Sequence, residues 1–422
     1  VRILWLVNIP LPEVSDLMNK PSSYLGGWLV NSSKYLSKKL ELHILFPNYG
    51  EDKYTIHQGE GITYYGFRPI ASKSEVKVLR EGKNFSEILE KVQPDLVHIY
   101  GSEMSHSSVM VNICNQKDIK VVVSIQGLVS IIAEHTLANL PYKVIHGYTL
   151  RNIIKRDNII GLKKIYDRQG KLERKLIKNA QYVIGRTTWD KACVLQINPH
   201  VTYFHCDETL RESFYKGKWD INTCEKKSIF LSQAHYPIKG LHFLIKALPI
   251  IIEKFPETKV YISGKDFTKS TSFFGKFTQT YYEKYIKRMI KKYNLQKYIL
   301  FLGPLDEKKM HERFLTSNVF LSSSTIENES NSVSEARILG VPVVASYVGG
   351  VIDRIDHGVD GYLFQHDAYY MLAHYICQIF ENDKIATEFS SKSRERAIEL
   401  YDVEKNNSKL INIYKSILSN DV

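Results

Sequence analysis

Ser322-Ser323-Ser324-Thr325-Ile326-Glu327-Asn328-Glu329-Ser330-Asn331-Ser332-Val333-Ser334-Glu335-Ala336-Arg337, running on into Ile338-Leu339-Gly340-Val341-Pro342-Val343-Val344-Ala345, is where the fold of this chain is read most directly. The apolar residues 319–321 before it have the composition of a buried strand. The polar loop that follows ends in Ser330, Asn331 and Ser332, natural caps for a helix start. Gly340 stops that helix, and 343–345 is a second strand. Strand, loop, helix and strand form the unit of a parallel sheet, with the helix starting at the C-terminal edge of its strands. There its first N–H groups and the positive end of its dipole are available to an anion. Glu335 is expected within the first turn or so of the helix and Glu327 in the loop before it. The two carboxylates then flank one bound phosphate, Glu335 on its ribose side and Glu327 on the far side.

Working outward, short β-branched runs alternate with longer amphipathic stretches. Strands are predicted at 3–7, 42–45, 96–99, 120–124 and 182–184, and again at 228–231, 259–262, 299–301, 319–321 and 343–345. The fold class is therefore α/β, with two Rossmann-like doubly wound domains. A chain of 422 residues exceeds what one core usually supports. The domains are expected at 1–205 and 228–401, joined by a charged linker at 206–227. A C-terminal helix at about 402–422 is expected to pack back on the first domain. Ligands of such sheets bind beyond the carboxyl ends of the strands, which in this arrangement face a central cleft.

Composition narrows the class without choosing a partner. A 44% apolar and 24% charged chain is that of an ordinary globular enzyme. Cys114, Cys193, Cys206, Cys224 and Cys377 are scattered and never spaced as CxxC, which fits a reducing compartment and opposes a disulfide framework or structural zinc. The N-terminus reads as a buried strand, and the longest apolar stretch, 121–133, is broken by polar residues and too short for a membrane span. The net charge of +12 attracts phosphates of any kind. No recognition motif for nucleic acid accompanies it.

Glu327 and Glu335 form an E-x7-E pattern, and 336–345 resembles the "EA…GxPVVAS" segment of glycosyltransferase family 4, the glycosyl transferases group 1 type. The resemblance implies a retaining, GT-B glycosyltransferase. In that family the second Glu grips the nucleotide ribose, the first sits by the transferred sugar, and backbone amides hold the diphosphate. Carried over, Glu335 holds ribose, Glu327 the donor sugar, and Asn331, Ser332 and Val333 supply amides. The family's Gly-Phe-Gly after the first Glu is here Asn328-Glu329-Ser330, whose side chains are expected to reshape the sugar pocket.

The same resemblance extends to other loops. Ser232-Gln233-Ala234-His235-Tyr236-Pro237-Ile238-Lys239-Gly240 is similar to the family's phosphate clamp, with Lys239 neutralising the departing diphosphate. The clamp's usual Arg is missing; Gln233 and His235 occupy that loop, and Arg186 is the candidate to replace the lost charge. Tyr24-Leu25-Gly26-Gly27-Trp28 matches an N-terminal glycine loop, where Gly26 and Gly27 let backbone approach the donor. Gly349 and Gly350 match a glycine turn near the donor. Gln126, where the family often has His, is a candidate sugar or acceptor contact, as are Glu103, His106 and His135.

No Asp-x-Asp, no His/Cys cluster of metal spacing, no Walker loop and no G-x-S-x-G elbow occurs. The expectation is a metal-independent, cofactor-free transferase. It moves a hexose-type sugar from a nucleotide diphosphate sugar, UDP favoured and GDP next, to a glycan or lipid-linked acceptor in bacterial surface polysaccharide synthesis. The alternatives are a catalytically silent nucleotide-sugar-binding subunit and a GT-B sugar-nucleotide epimerase. A cytoplasmic location is expected. Residues 142–178 interleave many Lys and Arg with isoleucines, so peripheral contact with an anionic membrane stands beside a plain solvated helical face.

Overall fold

The computed structural model describes residues 1–21, 26–49, 54–69, 82–268 and 279–419; Tyr24 and Leu25 of the N-terminal glycine loop lie outside them. The chain divides into two compact units: Val1–Ser130 with Arg168–Arg211 and Tyr401–Val422, and Ile131–Asp167 with Glu212–Leu400. Residues 131–167 thus group with the second unit although they follow a strand of the first. They are tied there by the Thr149 hydroxyl donating to the Gln279 carbonyl at 2.9 Å, and by His242 Nε2 lying 2.9 Å from the Ala138 carbonyl.

The first unit contains β1 (Arg2–Leu6), β2 (Glu41–Pro47), β3 (Thr55–Gln58), β4 (Ile62–Phe67), β5 (Leu96–Tyr100), β6 (Lys120–Ser124), β7 (Tyr182–Gly185) and β8 (Thr202–His205). Their order across the sheet is β3-β4-β2-β1-β5-β6-β7-β8. Neighbours are parallel except for the antiparallel pair β3–β4. Val97, Val121, Val122 and Val123 are buried, as strands covered on both faces require, and so they read as unbroken apolar runs. The helix Val403–Ser419 places Leu410, Ile413, Tyr414 and Ile417 in this unit's core. Trp5 Nε1 donates to the Tyr414 hydroxyl at 3.0 Å, and His98 Nδ1 lies 2.5 Å from the same oxygen.

The second unit has an all-parallel sheet of β9 (Glu225–Leu231), β10 (Lys259–Ile262), β11 (Ile299–Phe301), β12 (Ser317–Ser322), β13 (Val343–Ser346) and β14 (Tyr362–Phe364), in the order β11-β10-β9-β12-β13-β14. From β9 the chain builds outward through β10 and β11, then returns to β9's other side for β12 to β14. The crevice between the carboxyl ends of β9 and β12 is the topological switch point, where ligands of doubly wound sheets bind. The stretch read as a linker is packed at both ends. Asn31 Nδ2 donates to the Leu210 carbonyl at 2.6 Å in the first unit, and the buried Trp219 donates to the Ser317 carbonyl at 2.7 Å in the second. Among the described residues, no helix is long and apolar enough to cross a membrane.

Candidate functional site

The helix Asn331–Leu339 begins at the β9–β12 crevice. Its N-cap, Ser330, is extended (φ −81, ψ 106) and its side chain makes no capping bond to the first-turn amides. A cavity of about 210 Å³ opens there, lined among others by Ser232, Gln233, Lys239, Glu327, Asn331 and Ser332. The Ser232 hydroxyl donates to the Ser332 hydroxyl at 2.8 Å and fixes the end of β9 to the helix start.

Lys239 reaches the cavity because the chain makes a 3-10 turn at Pro237–Lys239 and then a left-handed step at Gly240 (φ 70), where a Cβ would fall on the Ser323 carbonyl oxygen. Two further bonds zip this loop to the one after β12: Thr325 N–H to the Ile238 carbonyl at 2.8 Å, and the Ser323 hydroxyl to the Lys239 carbonyl at 3.0 Å. Lys239 Nζ is ion-paired with Glu327 Oε1, and the Ser324 hydroxyl donates to that same oxygen at 2.7 Å. The side chains of Lys239 and Glu327 are 22% and 15% exposed, so both can be reached by a ligand.

Gly349 and Gly350 hold Glu327 from behind. The Gly350 N–H donates to the Glu327 carbonyl at 3.1 Å, and Gly349 sits at φ +51 with a would-be Cβ on that oxygen. They position Glu327 and do not line the cavity wall. Of the residues replacing Gly-Phe-Gly, Asn328 is buried and Glu329 borders the cavity with its carboxylate ion-paired to buried Arg354 at 2.9 Å. The Glu329 charge is therefore already matched inside the protein.

Glu335 lies deeper than expected. The first turn of the helix holds no acidic residue; Glu335 follows one turn in, is buried, and the wall of the cavity stops short of it. Val333 is likewise buried. Two residues further on, Arg337 pairs with Asp360 at 2.7 Å with both side chains essentially inaccessible, and Arg396 pairs with the same carboxylate. This pairing fixes the helix to the loop before β14, and no local pattern in the sequence announces it. Gln233 and His235 keep much of their surface in solvent; partial desolvation of the His235 ring, with Lys239 nearby, lowers its pKa against the opposing pull of Glu283.

The remaining candidates belong to the first unit, apart from His135. Arg186, expected as a free cation for phosphate, is buried and paired with Glu208 at 2.6 Å. Gln126 Nε2 donates to the other Glu208 oxygen at 2.6 Å. The guanidinium charge is thus spent on Glu208, a residue the sequence did not single out. Gly26 is the left-handed N-cap (φ 75) of the helix Gly27–Leu36, and the bare Cα of Gly27 makes room for the Arg211 side chain. Glu103 and His106 do come together, bridged by Asn8 at the carboxyl ends of β1 and β5. Asn8 Nδ2 donates to Glu103 Oε1 at 2.8 Å, and His106 Nε2 lies 2.8 Å from Asn8 Oδ1. Burial raises the Glu103 pKa to about 7 and lowers that of His106 to about 4. His135 belongs to the second unit; burial first, then His366, lowers its pKa.

A parallel sheet with an uncapped helix, a cation and a carboxylate at its switch point is the setting in which the sequence comparisons take on meaning. The family profile described as glycosyl transferases group 1 matches residues 212–396. The stretch 212–396, the greater part of the second unit, matches a glycosyl transferases group 1 domain. Over 182 residues the chain is 30% identical to poly(ribitol-phosphate) alpha-N-acetylglucosaminyltransferase of Staphylococcus aureus, covering 43% of this chain and 34% of that protein. The match thus spans about a third of that relative's length. Sucrose-phosphate synthase from Thermosynechococcus elongatus aligns over 100% of both chains with a TM-score of 0.72 at 14% identity. Anabaena HepE, solved with UDP and glucose, aligns over 98% of this chain and 99% of its own with a TM-score of 0.68 at 16% identity. The fold outside the group 1 domain is therefore also that of the two-domain GT-B proteins.

Proposed function

We propose that this chain is a retaining glycosyltransferase that takes a hexose-type sugar from a nucleoside diphosphate sugar and passes it to a glycan or lipid-linked acceptor without a metal ion. The observation that carries this reading is the Lys239–Glu327 pair beside an uncapped helix start at the switch point of a group 1 domain. A diphosphate placed against the amides of Asn331 and Ser332 meets the helix dipole and the Lys239 ammonium, which together supply the positive charge its departure needs. Glu327, released from Lys239 by the competing phosphate, accepts hydrogen bonds from sugar hydroxyls. Glu335, one turn further along, is assigned to the nucleotide ribose.

In this scheme the bond between the anomeric carbon and the phosphate oxygen breaks while the acceptor oxygen attacks the same face. The departing phosphate oxygen takes the acceptor proton, so atoms and charge balance without a covalent sugar–enzyme step, and Glu327 positions the sugar. UDP is favoured as the donor nucleotide because HepE, a full-length fold relative, is solved with UDP and glucose. A hexosamine donor and a phosphate-rich polymer acceptor are the first to test, since the Staphylococcus relative is named for that transfer.

The test is to incubate the protein with UDP-glucose or UDP-N-acetylglucosamine, a polyol-phosphate acceptor and a chelator, and to read product by nuclear magnetic resonance. An α-linked product formed with the chelator present supports the reading. An inverted linkage, or turnover that appears only on adding a divalent cation, contradicts it. A catalytically silent binder is the second reading, favoured by Gln233 and His235 standing where the clamp's cation is expected; it predicts nucleotide binding without product under every condition.

A further inference from the structure

We propose that residues 142–156 form a rigid docking patch for an anionic lipid surface. The sequence spreads basic and apolar residues evenly over 142–178, but the structure separates them. In the helix Ile159–Asn179, Ile159, Leu176 and Ile177 are buried, and Glu173 turns inward to accept the Val129 and Ser130 N–H groups at 3.0 and 2.8 Å. Ile165 and Leu172 of that helix are 36% and 37% exposed, and the greater apolar exposure lies in the stretch before it. Tyr142 is 74% exposed, Tyr148 57%, Leu150 55%, Ile153 60% and Ile154 80%. Leu150, Ile153 and Ile154 stand at i, i+3 and i+4 on the short helix Leu150–Lys155 and so share one face.

This face is built and held outward. Thr149 and Asn152 form a capping box, Thr149 is bonded to the Gln279 carbonyl, and the Tyr281 N–H donates to Asn152 Oδ1 at 3.1 Å. Val144, Thr149 and Asn152 are buried beneath the exposed residues, and the bare Cα of Gly147 lies against the Tyr281 ring. Holding several large apolar side chains in water costs free energy that a monomeric protein rarely accepts without a partner surface. Charge complementarity names that partner. Lys143, Lys155 and Arg156 rim the patch, are exposed, and have no acidic partner among the described residues. Arg151 is balanced by Asp157 at 3.0 Å. Isoleucines and tyrosines set among unpaired cations match the headgroup–acyl boundary of an anionic bilayer, with aromatic rings at the interface and lysines on phosphate. This assignment is independent of the transferase reading.

The experiment is flotation of the full chain with vesicles of phosphatidylcholine alone and of phosphatidylcholine with phosphatidylglycerol, at low and high salt. Binding is expected only with phosphatidylglycerol, and weaker at high salt. Replacing all three rim cations (Lys143→Ala, Lys155→Ala, Arg156→Ala) is expected to lower partitioning about a hundredfold, at the usual worth of one basic residue near such a surface. The pair Ile153→Asp with Ile154→Asp is expected to abolish it while leaving the melting temperature unchanged. Absence of wild-type flotation, equal flotation with phosphatidylcholine alone, or flotation unaffected by either variant overturns the proposal. So does sedimentation showing a dimer that the isoleucine variant dissolves, because the patch then belongs to a second copy.

Discussion

The Lys239 ammonium and the Glu327 carboxylate are ion-paired at the crevice between β9 and β12, and the Ser324 hydroxyl donates to the same carboxylate oxygen. In the proposed reaction a diphosphate competes with Glu327 for the lysine, and its binding frees the carboxylate beside the donor sugar. On that proposal, binding of the donor and activation of the site are one event.

Lys239→Met is expected to weaken UDP binding about ten- to a hundredfold, the worth of one charge-assisted hydrogen bond. Glu327→Gln keeps the shape, unmasks the lysine and is expected to bind UDP as well as the parent while losing transfer. Calorimetry of UDP binding alongside a product assay separates the two; equal loss of binding in both variants rules out the division of labour between them.

The glycine behind Glu327 offers a second test. In Gly349→Ala the new methyl falls on the Glu327 carbonyl oxygen at a positive φ, so the loop must move. Strain of about 1–3 kcal/mol is expected, with a fall in kcat because Glu327 is displaced. Gly358→Ala is the control: its φ is +77 but nothing lies within 4 Å of the added methyl, so it is expected to lose some stability and keep its activity. Urea melts and steady-state rates on both variants check the contrast.

Asp360 carries the buried charge that holds the helix of the site. Asp360→Asn leaves Arg337 buried with its charge uncompensated, and a loss of about 3–5 kcal/mol in unfolding free energy is expected. Chemical denaturation measures it. A change below 1 kcal/mol, the usual ceiling for an exposed pair, removes Asp360 from its anchoring role.

Acid is expected to unfold the protein through its buried imidazoles. Burial lowers the pKa of His98 and His242 to about 3 and that of His106 to about 4, all below the ordinary 6.5. Between those values the unfolded chain binds protons that the folded chain refuses, so stability falls as pH drops below 6.5. Glu103 works the other way: raised to about 7 from 4.5, it takes a proton more readily when folded, and its contribution falls as pH rises through that window. His135 and His235 are lowered in the same way and Glu173 is raised like Glu103, so lowered imidazoles outnumber raised carboxylates and acidification gives a net loss. Glu103→Gln is expected to be more stable than the parent at pH 8, by on the order of 2 kcal/mol, and to lose that advantage near pH 4. Denaturation at a series of pH values reads both slopes.

What the sequence revealed and what it hid follow from the range of the interactions. Strands such as β6 and β12 are covered on both faces and announce themselves as apolar runs, and the residues that frame the helix start are neighbours in the chain. β3 is hidden because Thr55-Ile56-His57-Gln58 is a half-exposed edge with little apolar signal. Arg186 looked like a free cation because Glu208 lies 22 positions away. The depth of Glu335 depends on where the helix actually starts, and the neutralisation of Glu329 depends on Arg354. Pairings of that kind are set by tertiary packing, which local periodicity does not encode.

The most direct measurement is a melting-temperature series of the parent protein and Lys239→Met with UDP, GDP and ADP, each in the presence of a chelator. A bound nucleotide stabilises by mass action, so the account predicts a rise with UDP, or failing that GDP, in the parent and little or none in the variant. No shift with any nucleotide, a shift that requires a divalent cation, or one that Lys239→Met leaves intact would contradict it.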